Sequence, residues 1–552
     1  MSTGEPEPAP PHRPPAPARL ARAAGVIAAS TVASRGLGLV RDVIIAALFG
    51  ATSAKSAFVI AYAVPFFVQR LFLGGVLSIV FIPAIADVLA RGNADETRRV
   101  ATSTLNMVLL IGCALAVLGI LAAPLLVPLA APGYLRTNPA VLTLAIALTR
   151  VMFISMAFLA LSGFVTGYLN AHHRFTVPAL APIVFNLVII AGLAWLPRVA
   201  WRGEPLAIRG VAVSFLLGWA AQFVVQLPAA RRAGLRWGAS LDLRHPAIRE
   251  MGRLAIPAML GLAVIEINAN VNRFFASFLP PQPAVDYVAV LDYAFTINQA
   301  PVGIFAVSLA TALFPTMARH ATEGTAPLRA TTSLGLRGVL FTMVPVMAAM
   351  LVLSEPLVRV VFQRGAFDPR ATHAVALGVV GFAVGSVPYA AYYIVTRTFY
   401  ALHDTRTPVR IGLYMIALNA LANAVFMRYL GHVGIALSTS LVALANVGWM
   451  LGVLRRRLGG IDGMAVVATG VRTGVAGAVL ALVSLGTLRA VGHVVGPAGF
   501  SGAAIPLVAA LVAGSAAYLG VCAILGVREL ALLGSLTQRG RSRSRPAGSA
   551  EV

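Results

Sequence analysis

Two arginines and an aspartate interrupt a long apolar run in the segment SRGLGLVRD, Ser34 to Asp42. Arg35 and Asp42 are seven residues apart, which on a helix brings them to within about 20° of one face. Arg41 lies roughly 100° round from Asp42. Gly36 and Gly38 thin the helix between them, so that a neighbouring helix or a ligand can come close. Arg70, in the next apolar run, can join the same group. Two or three guanidiniums in a dry cavity suit a diphosphate, which they bind through paired, charge-assisted hydrogen bonds. The simpler alternative is that Arg35 and Asp42 pair with each other to hold helices together while Arg41 snorkels to an interface.

A second polar stretch, EINANVNRFF, carries Glu266, Asn268, Asn270, Asn272 and Arg273, and the run after it carries Asp292 and Thr296. Glu266 and Asp292 are candidates to bind a coupling ion, sodium or a proton; a helix-packing partner neutralises them equally well. Asn268 and Asn272, four residues apart, fit interhelical hydrogen bonding. QRGAFDP (Gln363 to Pro369) and HDTRTP (His403 to Pro408) read as turn chemistry, with Asp404 or Thr405 as a helix cap. The sequence holds no phosphate-binding glycine loop, zinc-ligand helix or Asp-rich metal motif. The reading is therefore of a non-enzyme with no cofactor and no metal.

The elements that position these groups follow from composition. Of 552 residues, 59% are hydrophobic and 11% charged, far from the roughly 25% charge of a soluble domain. At about 20 apolar residues per crossing, the runs predict fourteen transmembrane helices and an all-α, polytopic membrane protein. Lipid offers no outside partner to backbone groups, so each crossing must be helical. The net charge of +24 is placed unevenly. Lys and Arg in alternate connections run about two to one, and the rich side includes both tails, which is the positive-inside bias. This predicts a multi-pass protein of the bacterial inner membrane with both termini cytoplasmic. Its basic residues meet membrane lipid headgroups, not nucleic acid. Cys113 and Cys522 lie in apolar runs and imply no disulfide framework.

The chain also repeats itself. VRDVIIAALFG from Val40 resembles VNRFFASFLP from Val271, FIPAIADVLARGN around Pro83 resembles LFPTMARHATEG around Pro315, and GYLNAHHRFTVP resembles FYALHDTRTP, at offsets of 231, 232 and 230 residues. A duplicated six-helix unit inserts twice in the same orientation, giving two parallel repeats around a central cavity. The expected organisation is a disordered cytoplasmic tail (1–23), an N-terminal six-helix lobe (24–232), a C-terminal six-helix lobe (233–458), two further helices (459–530) and a basic cytoplasmic tail (531–552).

With these segments in hand, the chain resembles the MurJ/MviN lipid II flippases of the multidrug/oligosaccharidyl-lipid/polysaccharide exporter superfamily over about residues 24–530. SRGLGLVRDVIIAALFG, GGVLSIVFIPAIADV, HRFTVPALAPIVFN, FASFLP, PVGIFAVSLATALFP, FQRGAFD and FYALHDTRTPVRI carry the likeness, in order. The resemblance implies export of an undecaprenyl-diphosphate-linked peptidoglycan precursor, driven by an ion gradient or the membrane potential. It also implies a lipid-tail groove formed by the last two helices, and cell-wall synthesis proteins as partners. It assigns Arg35, Arg41, Asp42 and Arg70 to the cavity that serves the diphosphate. The sequence departs from that pattern at Ser56, Gln69, Gly74, Thr296 and Tyr393, where the family carries charged residues. Three functions follow: a lipid II flippase with a reduced arginine set, helped by Arg273 or Arg397; a paralogue that flips another polyprenyl-linked or amphipathic cargo; or a non-transporting scaffold of cell-wall assembly.

Overall fold

The computed structural model describes residues 17–70, 94–199, 204–238, 240–242, 267, 270–496 and 499–530. The described residues are almost wholly helical. In chain order the helices are α1 (Pro17–Phe49), α2 (Ser53–Gln69), α3 (Ala94–Ala130), α4 (Pro139–Ala171), α5 (Thr176–Val199) and α6 (Glu204–Val224). A helical stretch over 270–276 precedes α7 (Tyr287–Pro301). A π-turn at Val302–Ala306 joins α7 to α8 (Val307–Glu323). Then come α9 (Thr325–Phe362), α10 (Pro369–Ala383), α11 (Ser386–Ala401), α12 (Arg406–Arg457), α13 (Gly463–Val495) and α14 (Gly499–Ile524).

Nine of these continuous helical stretches are long and apolar enough to cross a membrane, and α10 with α11, bent by 45°, makes a tenth. Their outer faces agree with that. On α3, Leu118, Leu121, Leu125 and Leu129 are 61–72% exposed at helical spacing, a stripe that water would penalise and hydrocarbon does not. The protein is thus a multi-pass membrane protein. The expected fourteen crossings include stretches over 71–93 and 243–266, which lie outside the described residues, as do both ends of the chain. Helix α1 begins at Pro17, inside the segment expected as a tail.

Helix α12 holds two crossings. At 52 residues it is far longer than one crossing, and Gly431 interrupts it with φ 57° and ψ −132°. Asn423 and Thr439, eight residues to either side, both hydrogen-bond Asn272, so the two arms lie side by side as a hairpin.

In the first half of the chain α4 packs against α2, α3 and α6, and α5 against α1 and α6. In the second half α9 packs against α8, α10, α11, α13 and α14. The same turn occurs in both halves, 230 residues apart. His173 and His403 each take φ 56°, and Arg174 N and Asp404 N donate to Leu169 O and Phe399 O.

The halves are tied together at one end of the bundle. Ala366 N donates to Ala47 O at 2.8 Å and Asp286 N to Ala51 O at 2.7 Å. Gly50 and Gly365 make this possible. Both have positive φ, and a side chain on either would collide with the backbone of the other turn. The carboxylate of Asp286, 2% exposed, accepts from Tyr134 Oη and from Ser53 Oγ. The largest apolar cluster gathers here from both halves, with Phe49, Ile60, Tyr134, Tyr293, Phe362 and Phe367 among its members.

Candidate functional site

Helix α1 presents its charged segment along the seam between the halves. Arg41 pairs with its neighbour Asp42, Nη2 to Oδ1 at 2.9 Å and Nε to Oδ1 at 3.0 Å. It also donates through Nη1 to Asn186 Oδ1 at 3.2 Å, and its guanidinium lies 5.3 Å from the centre of the Phe215 ring. Asn186, 4% exposed, in turn donates to Pro182 O at 2.9 Å. Arg41 is therefore held in place from α5 and α6 rather than snorkelling outward. Asp42 takes Arg41, not Arg35, as its ion-pair partner.

Arg35 points elsewhere. It is exposed at the seam and reaches the other half, where its guanidinium fills the space left by the missing side chain of Gly303. A Cβ on Gly303 would sit 2.5 Å from Arg35 Nη1. Gly303 belongs to the π-turn that follows Pro301, a local irregularity often found at functional sites. Arg70 lies with its guanidinium 4.6 Å from the Phe66 ring centre. The Tyr62 ring lies 5.0 Å from Phe66 and 5.9 Å from Phe215, the ring beneath Arg41, so Arg41 and Arg70 face one aromatic cluster.

Asp292 crosses the seam. Its Oδ2 accepts from Lys55 Nζ at 3.2 Å, and its Oδ1 lies 3.8 Å from Arg273 Nη2. The Lys55 side chain is 8% exposed and rests 4.8 Å from the Tyr293 ring centre. A buried ammonium needs a partner, and Asp292 supplies it from the other half of the molecule. Ser56, next to Lys55, accepts from Ala289 N at 3.0 Å and so caps the start of α7 across the same seam. Thr296 is turned back on its own helix, donating to Asp292 O at 2.9 Å. Glu266 lies outside the described residues.

Sequence reasoning placed Arg35, Arg41, Asp42, Arg70 and Asp292 and missed Lys55 and Asn186. Lys55 escaped because it stands just ahead of the apolar run FVIAYAV, although α2 already begins at Ser53. The sequence signal was a lone lysine one turn before an apolar run. Among the described residues no group of three His, Cys, Asp or Glu side chains could hold a metal ion. Counting Arg35, Arg41, Lys55, Arg70 and Arg273 against Asp42 and Asp292, the seam is strongly cationic. Such a surface attracts an anion and orients phosphate oxygens through the planar guanidiniums.

The two turns singled out in the sequence are structural. Asp368 caps α10, accepting from Ala371 N at 2.7 Å. Asp404 caps α12, accepting from Arg406 N and Thr407 N, and pairs with Arg457 at 2.6 Å. Burial pushes the Asp404 carboxyl up, but the hydrogen bonds from Thr407 and the Arg457 ion pair outweigh it and hold it at about 2.

The model of the family described as "Lipid II flippase MurJ" matches residues 45–498. The chain belongs to the MurJ family. Relatives in that family include a probable lipid II flippase MurJ of Vibrio cholerae, 30% identical over 451 residues, covering 78% of this chain and 82% of the relative. A lipid II flippase MurJ of Burkholderia cenocepacia is 29% identical over 444 residues, covering 79% and 84%. Among solved structures, a lipid II flippase MurJ in an inward closed conformation aligns with a TM-score of 0.73 at 22% identity, over 90% of this chain and 98% of that one. An inward-facing multidrug resistance MATE transporter of the MOP superfamily aligns with a TM-score of 0.63 at 14% identity, over 77% and 95%. These structures share the fold, and the MurJ family model extends from the end of α1 to the end of α13.

Proposed function

We propose that this chain is a lipid II flippase. It carries undecaprenyl-diphosphate-linked peptidoglycan precursor from the cytoplasmic to the periplasmic leaflet of the bacterial inner membrane, by alternating access, with both termini in the cytoplasm. The observation that carries the reading is the pair of α1 guanidiniums. Arg41 is fixed by Asp42 and Asn186, and Arg35 is displayed across the seam against Gly303. Each guanidinium offers planar, paired donors to phosphate oxygens. The halves are tied at the end where α1 finishes. With the N-terminus cytoplasmic, that is the periplasmic end, as expected of a carrier waiting for cargo from inside.

Asp292 is our candidate for coupling. In the arrangement described it is occupied by Lys55 and Arg273, so it takes an external cation only when the halves separate and Lys55 withdraws. The two parallel six-helix lobes, 24–232 and 233–458, are the bodies that rock, and α13 and α14, packed on α9, supply the groove for the lipid tail. A paralogue for another polyprenyl-linked cargo is the second reading. It is favoured by Thr296 and Tyr393, neutral side chains where the family resemblance places cations.

The test is depletion and rescue. In cells deprived of their own peptidoglycan flippase, this chain should restore growth and the arrival of labelled lipid II in the outer leaflet, and Arg35→Ala should not. A correctly inserted wild-type chain that fails to rescue would remove the lipid II reading in favour of the paralogue.

A further inference from the structure

Helix α11 carries a polar aromatic stripe that the diphosphate chemistry does not use. Tyr389, Tyr393, Arg397 and Tyr400 recur at intervals of four, four and three residues, one face of the helix, and none is fully buried. Ala390, Ile394, Val395, Thr398 and Phe399, between them, are buried in the core of the second half. The Tyr389 and Tyr393 rings meet edge to face at 6.0 Å and 77°, and Tyr392 meets Tyr393 at 6.0 Å and 76°. Tyr389 Oη accepts from Gln299 Nε2 at 3.0 Å.

Two observations set this face on the seam rather than against lipid. Helix α11 packs against the π-turn at Val302–Ala306, where Arg35 from the opposite half rests on Gly303. Gln299 stands four residues before Gly303, the residue on which Arg35 rests. Half-exposed phenols and a carboxamide at the middle of a crossing are costly against hydrocarbon and stable against water or a polar ligand.

We propose that this stripe is the wall that recognises the sugar of the cargo: a pyranose ring attached to the lipid diphosphate packs on Tyr389 and Tyr393 while Arg35 holds the phosphate beside it. The inference rests on the flippase reading and deepens it. A pyranose has a flat face of C–H bonds whose partly positive hydrogens suit the negative face of a phenol ring, and hydroxyls at its rim that suit phenol oxygens and Gln299. The perpendicular rings form a corner that presents both features. Arg35 rests on Gly303 of the π-turn against which α11 packs, so a group bound at this corner lies beside the phosphate that Arg35 holds, where the first sugar of a lipid-linked glycan must be.

The experiment compares two lipids with the same tail and diphosphate, lipid II and undecaprenyl diphosphate, binding to the full chain in reconstituted membranes. The wild type should bind lipid II more tightly by about tenfold. Tyr389→Leu/Tyr393→Leu should lower lipid II affinity to the level of undecaprenyl diphosphate. Tyr393→Phe, which keeps the ring and the packing, should retain most of the preference, and Arg35→Ala should weaken both lipids alike. A double leucine variant that keeps the preference, or a wild type that binds both lipids equally, overturns the sugar wall and leaves the flippase reading standing. A wild type that binds neither lipid overturns both.

Discussion

Two polar networks lie within the helices, and they are built on opposite principles. The seam group of Lys55, Asp292 and Arg273 is charged, links the two halves and, among the described residues, has more cations than carboxylates to satisfy them. The second network lies wholly in the second half and is neutral. Asn272 donates to Thr439 Oγ1 at 2.7 Å and accepts from Asn423 at 3.1 Å, and Asn423 donates to Asn419 Oδ1 at 3.2 Å. Amides give and take hydrogen bonds without a desolvated charge, so this network suits permanent packing between the α12 arms and the helix at 270–276. The seam pays for its charges with geometry that holds only while the halves are closed. The difference teaches where motion is built in: charge is placed on the surface that must part, and amides on the surface that stays together.

The largest effect expected is on transport. Arg35→Ala or Arg41→Ala should reduce delivery of labelled lipid II to the outer leaflet by roughly a hundredfold, since each removes charge-assisted hydrogen bonds worth about 1.5–3 kcal/mol apiece. The amount of inserted protein should be unchanged. Normal delivery by both variants would show that the seam charges are only structural.

Next is the cross-seam pair. Lys55→Met leaves Asp292 facing Arg273 at 3.8 Å and should cost about 3 kcal/mol of stability, while Lys55→Met/Asp292→Asn should recover most of it, because breaking a buried pair costs more than removing both members. Thermal unfolding in detergent reads this. Equal losses in the single and double variants would mean that the pair does not close the seam.

Asn423→Leu should cost about 1 kcal/mol, the scale of one interhelical hydrogen bond in a membrane protein. Its loss should be the same at low and high salt, as befits a neutral network. A marked salt dependence would erase the contrast drawn above.

Smallest is Asp404→Asn, an ion pair at a turn outside both networks, expected to cost under about 1 kcal/mol at neutral pH. The folded carboxyl is held at about 2, below its ordinary value. Its contribution is therefore present above about pH 4 and lost as the pH falls toward 2, where wild type and variant should converge.

The charges on α1 were legible in the sequence because an ionisable residue is costly in an apolar run and so stands out there. Asp404 was legible because an Asp three residues before a Thr at a helix start has a local partner. Lys55 was not, because its partner Asp292 is 237 residues away and no window along the chain contains both. Tyr134 and Ser53 escaped for the same reason, since their shared acceptor Asp286 belongs to the other half. Arg35 was read on one face with Asp42, but that geometry could not reveal that a glycine in a π-turn on another helix would draw it across the seam.

The break at Gly431 governs how the chain enters the bilayer. The arms of α12 are joined by a single non-helical residue and share Asn272 within eight residues on either side. That leaves no slack for one arm to cross while the other waits outside. The turn and its shared Asn272 contacts can form only once both arms lie in the bilayer, so the pair assembles as one helical hairpin. An epitope or protease site inserted at Gly431 should therefore disturb assembly itself rather than merely report which side of the membrane the turn faces.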